Sequence, residues 1–319
     1  MMQLRPGIHR IVAPLGERFI AMYLLTGPDG ALLFDTGVAD SVPGTLLPYL
    51  DEIGFDPTDI RWVISSHCDF DHTGGNAALA AIAPGAEFLA GRADVPMTED
   101  VELLISGRYG EFAARDRFDD PPETTAEVRR STGLVPVHRS LDGGETFDLG
   151  DRLIEVLSVP GHSPGHLALR DAENDTLLIS DAVLGETVPT ADGRAAFPPT
   201  YRDTVAYVDS IRRLRALDAD LLLTAHYPVY EGAAVGEFLD DSLAYTERVD
   251  RVIEQVLASG VELTSLDLIH RAAPDLGPWP EAAAEYLIFP MTGNLERLVA
   301  RGRVVEGERD GIRTWRWIA

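Results

Sequence analysis

Residues Arg61–Asn76 read RWVISSHCDFDHTGGN, and this stretch decides how the rest of the chain is read. Arg61–Ser66 is a short β-rich run that predicts a strand. It ends on His67, Asp69, Asp71 and His72, four candidate metal ligands within six residues. Alternate residues 67, 69 and 71 converge from a tight loop, while His72 turns toward a neighbouring site. Imidazole and carboxylate together are the donor set that borderline and hard divalent ions require. Cys68 lies between two of these ligands and reads as a small packed residue, not a nucleophile.

Further along, three more predicted strands end on matching groups. His162 follows Leu153–Ser158 in PGHSPGH, Asp181 follows Thr176–Ser180 in LLISDAV, and His226 follows Asp220–Leu223 in LLTAHYP. Upstream, Ile8–Val12, Phe19–Leu25 and Ala31–Phe34 read as strands, with the turn Gly27-Pro28-Asp29-Gly30 between the last two. Residues 42–54, Asn76–Ile82 and Asp203–Leu217 read as helices. Short strands are also expected at Glu87–Ala90, Val137–Ser140, Glu145–Leu149 and Leu167–Arg170. A His or Asp at the end of one strand after another fits an α/β protein, where ligands gather at strand ends.

Taken in order, these motifs resemble the metallo-β-lactamase superfamily, whose pattern is HxHxDH followed by His, Asp and His. The resemblance covers roughly residues 8–230 and implies an α/β fold, the αββα sandwich. It implies that His67, Asp69 and His162 hold a first metal ion, that Asp71, His72 and His226 hold a second, and that Asp181 bridges the two. Asp35, in LLFDTG, matches a position whose carboxylate supports the metal loop from behind. Two cations about 3.5–4 Å apart generate hydroxide near neutral pH and polarise a substrate oxygen. Asp71 would also orient the attacking water and return a proton to the leaving group. From their positions after ligands, His166 reads either as a substrate contact or as a residue that supports the ligands, and Tyr227 and Tyr230 either offer a hydroxyl to a developing oxyanion or simply pack at the rim.

One position departs from the family. Asp69 stands where the pattern has its second histidine, giving HxDxDH. An added carboxylate lowers the positive charge of the first site and weakens its preference for zinc. The expected cofactors are therefore two divalent ions, zinc first, with iron or manganese admitted by Asp69.

Composition sets the frame around the site. The chain has 319 residues, 45% hydrophobic and 25% charged, ordinary globular usage that excludes disordered and collagen-like classes. A single cysteine excludes an intrachain disulfide. No apolar run reaches about 18 residues and the start lacks a signal-peptide core, so a soluble, cytoplasmic protein is expected. Net charge is −25, from 52 acidic and 27 basic residues, and every basic residue is arginine. Such a field opposes binding to nucleic acid and anionic membranes.

Two segments stand apart from the sandwich. Residues 93–135 are charged and helix-prone, too long for a tight connection, and read either as a helical lid or as a surface excursion. Within them Tyr109, Phe112 and Phe118 line an apolar pocket or pack in a core. The catalytic domain is expected over residues 1–232. Residues 233–319 are expected to form a small winged-helix tail that packs on its own domain or builds a homodimer. Residues 297–316 carry six arginines against three acids, the one basic segment.

The function expected from these readings is metal-dependent hydrolysis of an ester-like acyl compound, a thioester or a lactone, by a metal-bound hydroxide. Two alternatives remain open at this level. Asp69 suggests a di-iron, oxygen-dependent enzyme, although no flavodoxin-like segment supplies electrons. The tail suggests RNA or other nucleic-acid processing.

Overall fold

A computed structural model describes residues 1–318. The first sheet contains β1 (Met2–Arg5), β2 (Ile8–Leu15), β3 (Arg18–Gly27), β4 (Gly30–Phe34), β5 (Ile60–Ser65), β6 (Glu87–Gly91) and β7 (Arg139–Leu141), side by side in chain order. The pairs from β1 to β4 are antiparallel, and those from β4 to β7 are parallel. The second sheet takes β8 (Thr146–Asp148), β9 (Leu153–Ser158), β10 (Leu167–Asp171) and β11 (Thr176–Ser180). A small hairpin, β12 (Val188–Pro189) and β13 (Ala195–Phe197), precedes its last two strands, β14 (Leu221–Thr224) and β15 (Tyr230–Glu231). The order across this sheet is β15-β14-β11-β10-β9-β8, and β11 with β14 is its one parallel pair.

The layering follows from alternation along the strands. Leu32 and Phe34 point between the sheets, packing with Phe147, Val156 and Leu178, whereas Ala31 and Leu33 point outward onto Leu46, Tyr49, Leu50 and Leu79. On the second sheet Leu178, Leu221 and Leu223 face inward, while Leu177, Ile179 and Leu222 face the helices Thr204–Ala216 and Ala233–Leu257. Side chains of period two buried on both faces demand helices outside each sheet, which makes four layers, αββα. The continuous apolar strands expected from the sequence are present. The sequence reading did not separate β1 or the β12–β13 hairpin, both short.

The tail runs from Ala233–Leu257 through β16 (Leu263–Thr264), the helices Ser265–Leu276 and Ile288–Ala300, then β17 (Val304–Arg309) and β18 (Ile312–Trp317). Its three strands pair in the order β16-β18-β17. Leu268, Ile269, Leu295 and Trp315 join the same apolar cluster as Leu177 and Tyr207, so the tail continues the outer layer of the second sheet. Among the described residues no helix is long and apolar enough to cross a membrane.

Residues 93–135 form short helices, chiefly Val95–Glu99, Val101–Leu104, Ala113–Asp116 and Pro122–Ser131. They lie between the strand ends and the tail. Arg313 from β18 donates to both carboxylate oxygens of buried Asp116, through Nε at 3.0 Å and through Nη2, and Ser265 donates to the same group. Arg202 bridges Glu111 (2.8 Å) and Glu296 (2.7 and 2.9 Å), and Phe112 meets Phe289 edge to face at 5.0 Å. The segment is thus held between the catalytic layers and the tail. Phe112 and Phe118 belong to the core, whereas Tyr109 lines the cavity.

Candidate metal centre

The seven expected ligands meet at one end of the sandwich. Each follows the C-terminal end of a strand: His67, Asp69, Asp71 and His72 after β5, His162 after β9, Asp181 after β11 and His226 after β14. The short helix Phe70–Thr73 turns Asp71 and His72 toward the second sheet. All seven are at most 9% exposed. Their ligating atoms fall into three overlapping groups: His67, Asp69 and His162; Asp71, His72 and His226; and His67, His72 and Asp181.

Asp35 anchors the loop from behind, as expected. It holds a left-handed backbone, φ 65°, immediately after β4. Its Oδ1 accepts from the Ser66 amide at 2.7 Å, and its Oδ2 accepts from Ser66 Oγ (2.9 Å), Ser180 Oγ (2.8 Å) and His72 Nδ1 (2.9 Å). Ser180, the residue before Asp181, also has positive φ, 48°. One carboxylate therefore ties the β4, β5 and β11 ends together. Asp94 does a similar job for the first cluster, and no pattern in the sequence pointed to it. Its Oδ2 accepts from Ser163 Oγ and the Cys68 amide, and its Oδ1 accepts from the Gly165 amide at 2.7 Å.

The second cluster fits a divalent cation on its own geometry. His72 donates its Nδ1 proton to Asp35, and His226 donates its Nδ1 proton to the Phe19 carbonyl at 2.7 Å. Each ring therefore turns an Nε2 lone pair inward. His72 Nε2 faces Asp181 Oδ2 at 3.5 Å and Asp71 Oδ1 at 3.8 Å; His226 Nε2 faces the same Asp181 oxygen at 3.2 Å and Asp71 Oδ2 at 3.5 Å. His72 Nε2 and Asp181 Oδ1 are buried without a hydrogen-bond partner. Two lone pairs and two carboxylates without a donor between them require positive charge. Burial alone would push the His72 pKa down, but Asp35, Asp71 and Asp181 hold it well above the usual histidine range. A divalent ion would supply the charge these groups demand.

The first cluster is different, because a side chain from the lid enters it. Arg108, 7% exposed, donates through Nε to Asp69 Oδ1 and through Nη2 to Asp69 Oδ2 at 2.8 Å. The same Nη2 lies 2.9 Å from His162 Nε2, and Nη1 donates to the His162 carbonyl at 3.0 Å. His162 Nδ1 donates to the Thr200 carbonyl at 3.2 Å, so Nε2 is the accepting nitrogen. Burial and the neighbouring guanidinium lower the His162 pKa to about 4, which keeps its ring neutral. Burial would raise the Asp69 pKa, yet Arg108 holds it well below the carboxylate range. Nothing in the sequence singled out this residue, an arginine in ISGRYG within the charged, helix-prone segment.

Of the two readings open for His166 and Tyr227, the structure favours the supporting and packing one. His166 is fully buried behind the ligands, its ring stacked on His67 at 4.6 Å, and it does not line the cavity. Tyr227 is also turned away: its Oη accepts from the Gly185 amide at 2.9 Å and its ring packs on Phe238. Nearness to a ligand in sequence thus brings neither residue to the cavity. Tyr230 stacks on Phe238 as well, at 4.5 Å. Cys68 is buried against Met97, and burial raises its thiol pKa well above the usual range, as befits a packed residue.

A cavity of about 200 Å³ opens over both clusters. Asp69, Asp71, Arg108, His162, Asp181 and His226 form its floor. Its walls are largely apolar and come from three regions: Tyr109 and Val128 from the lid, Leu184, Val188 and Phe197 from the second sheet's loops, and Tyr286 and Phe289 from the tail. Arg18 stands at the rim with its guanidinium 5.7 Å from the Phe197 ring centroid.

The sequence matches the model of the Metallo-beta-lactamase superfamily over residues 15–226, a span that contains all seven candidate ligands. The chain belongs to the metallo-beta-lactamase superfamily. Among superfamily relatives, an N-acyl homoserine lactonase from Bacillus thuringiensis is 36% identical over 187 residues, covering 50% of this chain and 62% of that protein. The N-acyl homoserine lactonase AttM of Rhizobium johnstonii is 25% identical over 234 residues, 66% of this chain and 82% of the relative. A hydroxyacylglutathione hydrolase from Synechococcus is 28% identical over 195 residues, 60% of this chain and 58% of that one. The fold, tail included, matches a metallo-beta-lactamase family protein from Thermus thermophilus with a TM-score of 0.77 at 20% identity, over 99% of this chain and 100% of the other. The metallo-beta-lactamase fold thus accounts for the sandwich, and hydrolase relatives make this chain an enzyme of the hydrolase class.

Proposed function

We propose that this enzyme hydrolyses a small ester-like acyl compound, a lactone or a thioester, with divalent metal held by Asp71, His72, Asp181 and His226. The observation that carries the reading is the convergence of two inward-facing imidazole lone pairs and two carboxylates beneath a largely apolar cavity. Two histidines with carboxylates suit zinc. Bound there, a divalent ion lowers the pKa of water and polarises a carbonyl oxygen. Asp71 faces the cavity and takes the proton of the attacking water, then returns it to the leaving alcohol or thiol. The apolar walls take an acyl chain and exclude bulk water. The lactonase and hydroxyacylglutathione hydrolase relatives support this substrate class.

The two other readings are weaker. A di-iron centre would need Asp69 as a free ligand, whereas Arg108 engages both of its oxygens. A nucleic-acid surface would need the tail's arginines, yet Arg297 and Arg301 pair with Asp250, Arg303 with Glu254 and Arg313 with Asp116. We read residues 233–319 as a unit that builds the substrate wall and holds the lid.

The test is turnover of N-acyl homoserine lactones, followed by proton release, and of S-acyl glutathiones, followed by thiol release. Hydrolysis that a chelator abolishes and zinc restores supports the proposal. A zinc-loaded enzyme inert toward both classes refutes it.

A further inference from the structure

The first cluster of ligands is engaged by the chain itself. Arg108 reaches Asp69 with two parallel hydrogen bonds, reaches His162 Nε2 with one branch of the same guanidinium, and ties its other branch to the His162 carbonyl. A planar fork against a carboxylate is the arrangement in which arginine binds most firmly. Both oxygens of Asp69 and the lone pair of His162, two of the three donor groups a first ion would use, already accept protons from it. The guanidinium also carries a permanent positive charge into a cluster whose one carboxylate it neutralises.

From this we infer that Arg108 substitutes for the first metal ion, so that the active centre holds one divalent ion, at Asp71, His72, Asp181 and His226. The inference rests on the metal-dependent reading above and sharpens it. It also gives a reason for Asp69 in place of the family's histidine. A neutral imidazole offers a guanidinium one acceptor at most, whereas aspartate offers two and a matching charge. Asp69 and Arg108 are read as a pair. The helical turn that carries Arg108 belongs to the lid, whose next residue, Tyr109, accepts from the Phe70 amide at 3.3 Å. The lid therefore enters the metal loop at two adjacent positions.

Binding follows a different pattern in the second cluster. There the inward atoms have no donor between them, and no lid cation reaches them. The two clusters, neighbours at the strand ends, are thus unequal: an arginine engages the donor groups of one, and no arginine reaches those of the other.

The deciding experiment counts metal without reference to turnover. Wild-type protein and Arg108→Ala are stripped with chelator, titrated with zinc by calorimetry, dialysed against micromolar zinc and measured by elemental analysis. The expected result is about one zinc per chain in the wild type and about two in Arg108→Ala. Arg108→Met, which keeps the length and apolar stem of the side chain, serves as the second variant if alanine unfolds the lid, and it too should bind two. Two zinc ions held equally by wild type and variants would overturn the inference, as would one zinc in all three proteins. Absence of zinc from every protein would overturn the metal-dependent reading as well, and so separates the two failures.

Discussion

His72 donates its Nδ1 proton to Oδ2 of Asp35 across 2.9 Å, and this bond decides which nitrogen of His72 faces Asp71 and Asp181. Asp35 holds the tautomer because Ser66 and Ser180 donate to the same carboxylate and leave it no freedom to turn. In Asp35→Asn an NH₂ group would face at least one of these donors. Metal affinity should fall about 10–100-fold, the usual cost of removing such a supporting carboxylate. Chelator competition on folded protein measures it. Unchanged affinity would mean that the strand ends alone orient His72.

The metal-free protein should lose stability on acidification in a defined window. His162 is lowered from 6.5 to about 4 by burial and Arg108, and His166 is lowered well below 6.5 by burial, with His67 and His162 adding to the effect. Below about pH 6.5 the unfolded chain binds these protons, whereas the folded chain holds His162 neutral down to about pH 4 and His166 neutral well below 6.5, so stability rises with pH through that window and is fully present above it. Two such groups give a slope of at most about 2.7 kcal/mol per pH unit. Urea denaturation across the window measures the slope, and His166→Gln should reduce it by about half. A slope unaltered by that substitution would exclude His166 as a contributor.

The lid is fastened to the tail by one buried ion pair. Arg313 and Asp116 are 6% and 2% exposed, and Ser265 completes the acceptor's partners. Arg313→Met leaves Asp116 charged and without its counter-ion, a change that costs about 3–5 kcal/mol when the pair is buried. Arg309→Ala, at an exposed site on the neighbouring strand, should change stability by no more than about 0.5 kcal/mol. Equilibrium unfolding of the two variants makes the comparison. Equal effects would show that the lid is not anchored there.

Much of this site was written in local sequence. His67, Asp71, His72, His162, Asp181 and His226 each follow a short apolar strand, and strand ends of an α/β sandwich have few places to go but one edge. Asp35 was legible for the same reason. Arg108 was not, because its role depends on the path of a lid whose short helices have no strong periodic pattern. Asp94 escaped for a related reason: its partners, Ser163 and Gly165, lie about 70 residues away and are brought to it only by the packing of two sheets. For His166 and Tyr227 the sequence left two readings open, since proximity to a ligand in sequence says nothing about which side of it a residue occupies. The tail's element order was readable from turns and spacing. Its contribution of Tyr286 and Phe289 to the cavity was not, because the contact is made across the lid.

The tail's contact with the cavity leads to a prediction about substrate length. Phe289 lines the cavity and is held edge to face by Phe112 of the lid. An acyl chain long enough to reach it would bury several methylenes, each worth about 0.8 kcal/mol. A chain too short to reach it would gain nothing from that contact. In Phe289→Ala the KM for an octanoyl lactone should therefore rise about tenfold, equivalent to about 1.4 kcal/mol, with kcat little changed, because contact with the chain is the same in ground and transition states. The KM for a butanoyl lactone should stay within about twofold, a difference of about 0.4 kcal/mol. Steady-state kinetics on the two substrates, with metal content matched, makes the comparison. A rise of equal size for both would mean that Phe289 shapes the lid as a whole and does not measure the chain.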